Sequence, residues 1–510
     1  MGIIQQRFSV RLGAAMVASS VVLLPICLAS EPASLPEAAQ AAVLRNPEVL
    51  ARWHAFREAD EEIGVARGGF FPEVDLSAGA GRERLKPAST GGDSSYTRRD
   101  VSLSLRQMLF DGFATSNEVK RLGKAKLVRY FELLDSSENI ALEAARAYLD
   151  VVRYRRQVEL AEENYIQHQA ALEQLQRRAA SGVGKRVDVD QAASRLALAD
   201  VNLTTALANL HDVTARYLRI VGDYPAKALP VPADLSATLP DRVDLALQSA
   251  LKHSPALRAS VENTEAAQYD LNARRAAFMP RVDLLARSEN TRNYLGVEGS
   301  RDNTVVELRL RYNLFNGGSD LARDRQYRER KNTALDQREK ICRDLRQTLS
   351  IAYHDTIRLR EQLSYITLQV ELVEKTRNAY RDQFNIGQRT LLDLLNTQNE
   401  YFDARRTQVN ADVDLSLAYL RSYAGMGRLL DKLGLKRVDA DNVPAESAMA
   451  AVDLAELCPP LAPAQLQFDR EGLKKKAREL MEGSPSGFIG GRSASEPPGA
   501  ANGGENPGTR

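Results

Sequence analysis

Two hydrophobic periodicities alternate along the chain, and each occurs twice. Between Ala114 and Ala180 the apolar positions Leu142, Ala145, Leu149, Val152 and Leu160 recur at spacings of three and four, with dense charge between them. That is the pattern of a helix with one buried stripe. No proline interrupts it and Gly123 is its only glycine; residues 321–384 repeat the pattern. A helix of ~65 residues is roughly 100 Å long, beyond the scale of a globular helix, and predicts a coiled-coil or tubular assembly. Breaks at Ser181-Gly182-Val183-Gly184 and Asn385-Ile386-Gly387 precede further helical patterns over 187–220 and 391–430. Each half of the chain therefore predicts a long helical hairpin with its tip near Gly182 or Gly387.

The second periodicity is alternation. A helix predicted over 36–68, and again over 241–278, ends at a proline, with Pro47 and Pro255 near the two starts. Then Val74, Leu76, Ala78 and Ala80 share one strand face, and Val282, Leu284 and Ala286 share the matching one. Polar loops follow at 86–99 and 293–303, and strands return through Val101, Leu103 and Leu105 and through Val306, Leu308, Leu310, Tyr312 and Leu314. Ser102, Ser104, Arg106, Glu307, Arg309 and Arg311 fill the positions between. These β-hairpins, at about 72–112 and 280–317, fit lipid-facing barrel strands with a wet interior. Alternation alone fits a half-buried soluble hairpin equally well.

The two halves are copies. Asn46-Pro47 matches Ser254-Pro255, and Phe71-Pro72-Glu73-Val74-Asp75-Leu76 matches Met279-Pro280-Arg281-Val282-Asp283-Leu284, both at a distance of 208. Leu109-Phe110-Asp111-Gly112 matches Leu314-Phe315-Asn316-Gly317, and Ala147-Tyr148 matches Ala352-Tyr353, at 205. Gly182 and Asp188 match Gly387 and Asp393 at the same distance. Ordered landmarks at one period imply duplication and a pseudo-symmetric architecture. The plan is a first repeat over 30–221, a linker over 222–240 with four prolines, a second repeat over 241–430 and a C-terminal extension over 431–510, with disorder expected from about 483.

Composition narrows the class. The 69 basic and 67 acidic residues nearly cancel, so no field favours nucleic acid. Arg7 and Arg11, the apolar run 12–24 and Cys27-Leu28-Ala29 read as a signal peptide over 1–29. Ile26 before Cys27 disfavours lipid attachment there. Cys342 and Cys458 are too few for a disulfide framework, and whether they pair stays open. The five histidines are scattered, and the sequence has no phosphate-binding glycine loop, nucleophile elbow or Cys-x-x-Cys. No cofactor, metal or catalytic residue is expected: the chain is not read as an enzyme. The export signal favours the membrane reading of the hairpins. Four strands cannot close a barrel alone, and open edges are not tolerated in lipid. Three copies would supply twelve strands.

Two features carry a resemblance: the strand-to-helix junctions with Phe110, Gly112, Phe315 and Gly317, and the tip Tyr380-x-x-x-Phe384-x-x-Gly387-x-Arg389-Thr390-x-x-Asp393-Leu394-Leu395-Asn396. Together with the duplicated plan over about 36–430 they resemble the TolC-like outer-membrane efflux protein family. The resemblance implies a mainly α fold with membrane β: a homotrimer with a twelve-stranded barrel in outer-membrane lipid, continued by a helical tube through the Gram-negative periplasm. It implies partners too, a periplasmic adaptor protein and an inner-membrane ABC exporter or proton-driven pump. Asp393 matches a constriction-ring carboxylate of the family, and Asn396 stands where a second acid is expected. Three Asp393 side chains at an axis would favour cations. Arg389 and Asp188 match a pair that closes the entrance, and Phe384 replaces a tyrosine of that clasp, so one hydrogen bond should be missing. The expected function is a passive exit duct for type I protein secretion, or for multidrug or metal efflux. A periplasmic coiled-coil adaptor or scaffold without a pore is the reading from another class, and it does not account for two amphipathic β-hairpins between long helices.

Overall fold

In a computed structural model the described residues are 32–85, 94–232, 235–445, 449, 453–463 and 469–482. The expected signal peptide, most of the first polar loop and the tail from 483 lie outside them. The chain divides into one unit through Ala462 and another from Pro463. In the second unit the described residues form one helix, Arg470–Glu482, with Leu473, Leu480 and Met481 exposed.

The first unit opens with α1 (Leu35–Arg45) and α2 (Pro47–Gly68), where the hydrophobic pattern suggests one helix. Asn46 between them is extended, with φ −66° and ψ 128°. Pro47 has no N–H and pushes the residue before it out of the helical region. The Asn46 side chain then accepts a hydrogen bond from the Glu48 N–H at 2.9 Å. Ser254 does the same between α5 (Val243–His253) and α6 (Pro255–Arg274), accepting from the Leu257 N–H at 3.3 Å. The matched Asn-Pro and Ser-Pro landmarks are therefore helix breaks with built-in caps.

Strands β1 (Glu73–Leu85), β2 (Ser94–Phe110), β3 (Arg281–Arg292) and β4 (Ser300–Arg311) form one antiparallel sheet in that order. The β2–β3 pairing joins the two copies. Val74, Leu105, Ala286 and Val306 make one row across all four strands. The next row, on the opposite face, is Asp75, Ser104, Arg287 and Val305. The first row is wholly apolar and the second mostly polar, with Val305 opposite Arg287 as the exception. Val74, Leu76, Val306, Leu308 and Leu310 are exposed, and β4 is exposed along its whole length. Among the described residues no helix is long and apolar enough to cross a membrane.

The helices α3 (Ala114–Ala180) and α7 (Ser319–Asn385) have 67 residues each, about 100 Å at the standard rise. Their partners are α4 (Arg186–Val221) and α8 (Leu391–Gly425). The core lies where these helices meet α1 and α5, around the fully buried Leu133, Tyr148, Tyr217, Leu247, Leu349 and Leu420. The repeated Ala-Tyr landmark has a role here. The Tyr148 hydroxyl donates to the Pro230 carbonyl at 2.8 Å, and Tyr353 donates to Pro240, also at 2.8 Å. Each copy thereby anchors one part of the proline-rich linker.

The extension packs back on the core through α9 (Leu429–Leu433) and α10 (Leu454–Leu457). Cys342 and Cys458 form a disulfide with their Cα atoms 5.8 Å apart, amid Leu251, Leu257, Val261 and Leu454. A bridge of this kind persists in an oxidising compartment. Glu138 on α3 accepts from the Leu429 N–H at 3.0 Å and the Leu430 N–H at 3.4 Å. Burial pushes its carboxyl up to about 8, against the pull of those two N–H groups.

Two outcomes follow from this packing. Alkylation of the unfolded, unreduced mature chain should label neither Cys342 nor Cys458, and reduction should expose both to mass spectrometry. Glu138 has a folded pKa above its unfolded value, so the folded chain holds an extra proton between pH 4.5 and about 8. Its contribution is complete below pH 4.5 and is lost as pH rises through 8. Glu138→Gln should flatten the fall in stability across that window by an amount on the order of 5 kcal/mol, read from thermal melts at several pH values.

Candidate functional site: the helical tips

Both hairpins turn through a glycine in the left-handed region, Gly182 with φ +78° and Gly387 with φ +77°. A side chain is strained at such an angle. After the second turn Thr390 caps α8, its Oγ1 accepting from the Asp393 N–H at 3.3 Å and donating to Asp393 Oδ2 at 2.9 Å. Asp393 sits in the first turn of α8, where the helix dipole also favours a carboxylate.

Arg389 is held within its own hairpin. Its Nε donates to Gln383 Oε1 at 3.0 Å, its Nη1 lies 3.7 Å from Asp393 Oδ2, and its guanidinium stands 4.3 Å from the centre of the Tyr380 ring. The structure does not bring it to Asp188, which lies half-buried in the first turn of α4. The sequence-based Arg389–Asp188 pair is thus absent within the chain. A carboxylate four residues away and an adjacent aromatic face satisfy the cation locally.

Phe384 has a different role from a failed hydrogen bond. It is 8% exposed and packs with Leu172, Leu175, Ala192, Leu391 and Leu395, taken from both hairpins. The Arg178 guanidinium covers its ring at 5.1 Å. Burying such a ring contributes about 1.5–3 kcal/mol, more than an exposed hydrogen bond would. The tip is therefore joined by apolar packing where the sequence suggests a gap.

Asn396 carries a contact that the sequence does not reveal. Its Oδ1 accepts from Arg195 Nη2 on α4 at 3.1 Å. Further from the tip, His168 Nε2 meets Asn399 Oδ1 at 3.1 Å, Gln157 Nε2 donates to Asn410 Oδ1 at 2.8 Å, and Arg153 Nη2 donates to Asp414 Oδ1 at 2.6 Å. His168 is 1% exposed, and burial lowers its pKa from 6.5. A sequence-level signal exists only in hindsight, as polar residues at whole-turn spacing along α8.

At the other end of the helices, Gly112 takes φ +69°, and a Cβ there would come within 2.6 Å of the Met279 Cβ. The first junction thus closes tightly on the second copy, with Phe110 edge-on to Phe113 at 5.4 Å. The second junction has Gly317 at φ +57° and Phe315 85% exposed. No such neighbour meets a Cβ at Gly317 within 4 Å. Among the described residues no group of histidine, cysteine and acidic side chains could hold a metal.

The chain is similar to several known proteins. It is 26% identical over 427 residues to the outer membrane efflux protein BepC of Brucella suis, spanning 82% of this chain and 92% of BepC. It is 26% identical to the alkaline protease secretion protein AprF of Pseudomonas aeruginosa, spanning 82% of this chain and 89% of AprF. In fold it matches the Campylobacter jejuni CmeC outer membrane channel with a TM-score of 0.69 at 14% identity, covering 78% of this chain and 86% of CmeC. Residues 38–222 and 246–428, one stretch in each repeat, match the family described as outer membrane efflux protein. The chain belongs to that family of outer-membrane channels with a periplasmic helical tube.

Proposed function

We propose that three copies of this chain form an outer-membrane exit duct, a twelve-stranded barrel continued by a helical tube, which conducts substrates passively. One observation carries the reading: contacts that join the two repeats occur once per chain and leave matching surfaces empty. β2 pairs with β3, whereas β1 and β4 are free edges. Gly112 closes on Met279 of the second copy, whereas the matching Gly317 meets nothing within 4 Å and Phe315 beside it is bare. Head-to-tail repetition of the β2–β3 contact as β4 against β1 of the next copy closes a ring and satisfies every edge in lipid.

Energy for transport comes from elsewhere, since the sequence has no nucleotide-binding loop. The partners of the duct are an inner-membrane ABC exporter or proton-driven pump and a periplasmic adaptor that meets the helical tips. The cargo reading is type I protein secretion, supported by AprF and by the proteases secretion protein PrtF of Dickeya chrysanthemi, which is 23% identical. Multidrug or metal efflux is the second reading, supported by the efflux protein BepC at 26% identity. In the ring, Asp393 faces the passage as its acidic constriction, with Asn396 as a neutral amide ring beside it.

Detergent extracts of outer membranes should contain a species that runs as a trimer unheated and as a monomer after boiling; a monomer in the soluble periplasmic extract would overturn the duct. Asp393→Ala should lower the cation preference of the reconstituted channel severalfold and blunt block by divalent cations in planar bilayers. An unchanged ion preference would remove the acidic ring from the account.

A further inference from the structure

Helices α2 and α6 lead into β1 and β3, and α3 and α7 follow β2 and β4. All four helices therefore leave from one end of the sheet. The far end, where each hairpin turns back, lies away from the helical tube. Val74, Leu105, Ala286 and Val306 mark the apolar face, and three same-face rows further on stand Ala80, Arg99, Arg292 and Ser300. Phe110 and Arg99 are eleven residues apart on β2, about 36 Å along a strand and roughly 28 Å of height at the usual tilt of a membrane barrel. The apolar band of such a barrel is ~25 Å tall. Arg99 and Arg292 thus stand at its outer rim, on the side that bears the apolar rows.

The two arginines are directly opposed across β2 and β3. Like charges in that relation disfavour a strand pair, and nothing in the chain offsets them. Both side chains are exposed, and among the described residues neither guanidinium makes an ion pair or a hydrogen bond. They share a cleft of about 530 Å³ with Thr97, Asn293, Glu298 and Gly299. Glu298 pairs with neither arginine. Asn293 fixes the shape of the cleft: at φ +59° it donates from Nδ2 to the Thr97 carbonyl at 2.9 Å and accepts at Oδ1 from the Gly299 N–H at 3.4 Å.

The opposite face of the same strands is built differently. Tyr96 donates to Glu83 at 2.6 Å, and Arg98 lies 3.3 Å from Glu83 and 3.4 Å from Asp100. Arg98 and Arg301 also stand over the Tyr294 ring, at 6.0 and 5.6 Å from its centre. Cations on the lumen side have partners within the chain, and the opposed pair on the lipid side has none.

We infer that Arg99 and Arg292 form a binding site for the phosphate of an outer-leaflet glycolipid, one site per chain and three per trimer. The assignment of the two faces to lipid and lumen rests on the duct reading. Two guanidinium forks meet phosphate oxygens in charge-assisted hydrogen bonds, and an anion between them turns the repulsion into a bridge. On the same face, toward the helices, Leu76, Val101 and Leu103 are exposed and offer a surface for acyl chains. A free phosphate ion uses the two cations but not that apolar surface. A phosphorylated lipid uses both.

The test uses the full-length protein, extracted from outer membranes as the unheated trimer and stripped of lipid in detergent. Adding the bisphosphorylated glycolipid of the Gram-negative outer leaflet should raise the heat resistance of the trimer and leave lipid bound in native mass spectra. Arg99→Gln and Arg292→Gln should each weaken glycolipid binding on the order of tenfold. Without added lipid both variants should resist heat at least as well as the unaltered trimer, because each relieves a repulsion. Arg301→Gln removes the same charge from the lumen side and should leave binding unchanged. Equal loss with Arg301→Gln, or full binding by the double variant R99Q/R292Q, would overturn the site. Inorganic phosphate that protects the trimer as well as the glycolipid does would overturn the lipid as its occupant, and equal binding of the dephosphorylated glycolipid would overturn the role of the phosphate. A protein that yields no outer-membrane trimer would overturn the duct reading itself, and that result is distinct from a sound trimer that retains no glycolipid.

Discussion

The unpaired backbone groups along β1 and β4 set the terms for the rest of the molecule. A strand edge that is tolerable in water is prohibitive in hydrocarbon, where each unsatisfied N–H or C=O costs several kcal/mol. The sheet has apolar residues facing outward on both edge strands, such as Val74 and Leu76 on β1 and Val306, Leu308 and Leu310 on β4. Closure by further copies, as proposed, would answer the edges and the exposed apolar surface together. Gly112 and Gly317 stand at matching junctions, the first met by Met279 and the second by no residue of the chain within 4 Å.

Duplication makes this economical. One repeat supplies a helix pair, a β-hairpin and a long helical hairpin, and the second repeat reproduces the same joints. Asn46-Pro47 and Ser254-Pro255 break their helices with the same cap, and Tyr148 and Tyr353 secure the linker through the same hydroxyl. The copies diverge where they face different neighbours. Glu138 and Gln40 of the first copy reach the backbone of α9 and of Lys436, and the Cys342–Cys458 bridge ties the extension to the second copy. The extension thus touches both repeats, through different contacts in each.

Long helices transmit geometry but do not fix it, since packing of Leu, Val and Phe along a seam allows several nearby registers. At the tip the hairpins are joined by both kinds of contact: Phe384 packs among leucines of both, and Asn396 and Asn399 meet Arg195 and His168 in hydrogen bonds. Arg389 contributes within its own turn, through Gln383, Asp393 and the Tyr380 ring.

Local chemistry made much of the fold legible in the sequence. Helix and strand periods, prolines at breaks and glycines at turns act over a few residues, and the period near 205 repeats them in order. The family resemblance, and the role proposed for Asp393 at the tip, rest on such local signals. Partners far apart in the chain are another matter. That Cys342 pairs with Cys458, that Glu138 caps α9, that Phe384 is buried between hairpins and that His168 meets Asn399 depend on which faces the long helices turn to each other. An exposed histidine and a seam histidine look the same in a helical sequence rich in charge. Only the tertiary packing decides which polar residues are buried, because burial is a property of the neighbouring helix as much as of the residue itself.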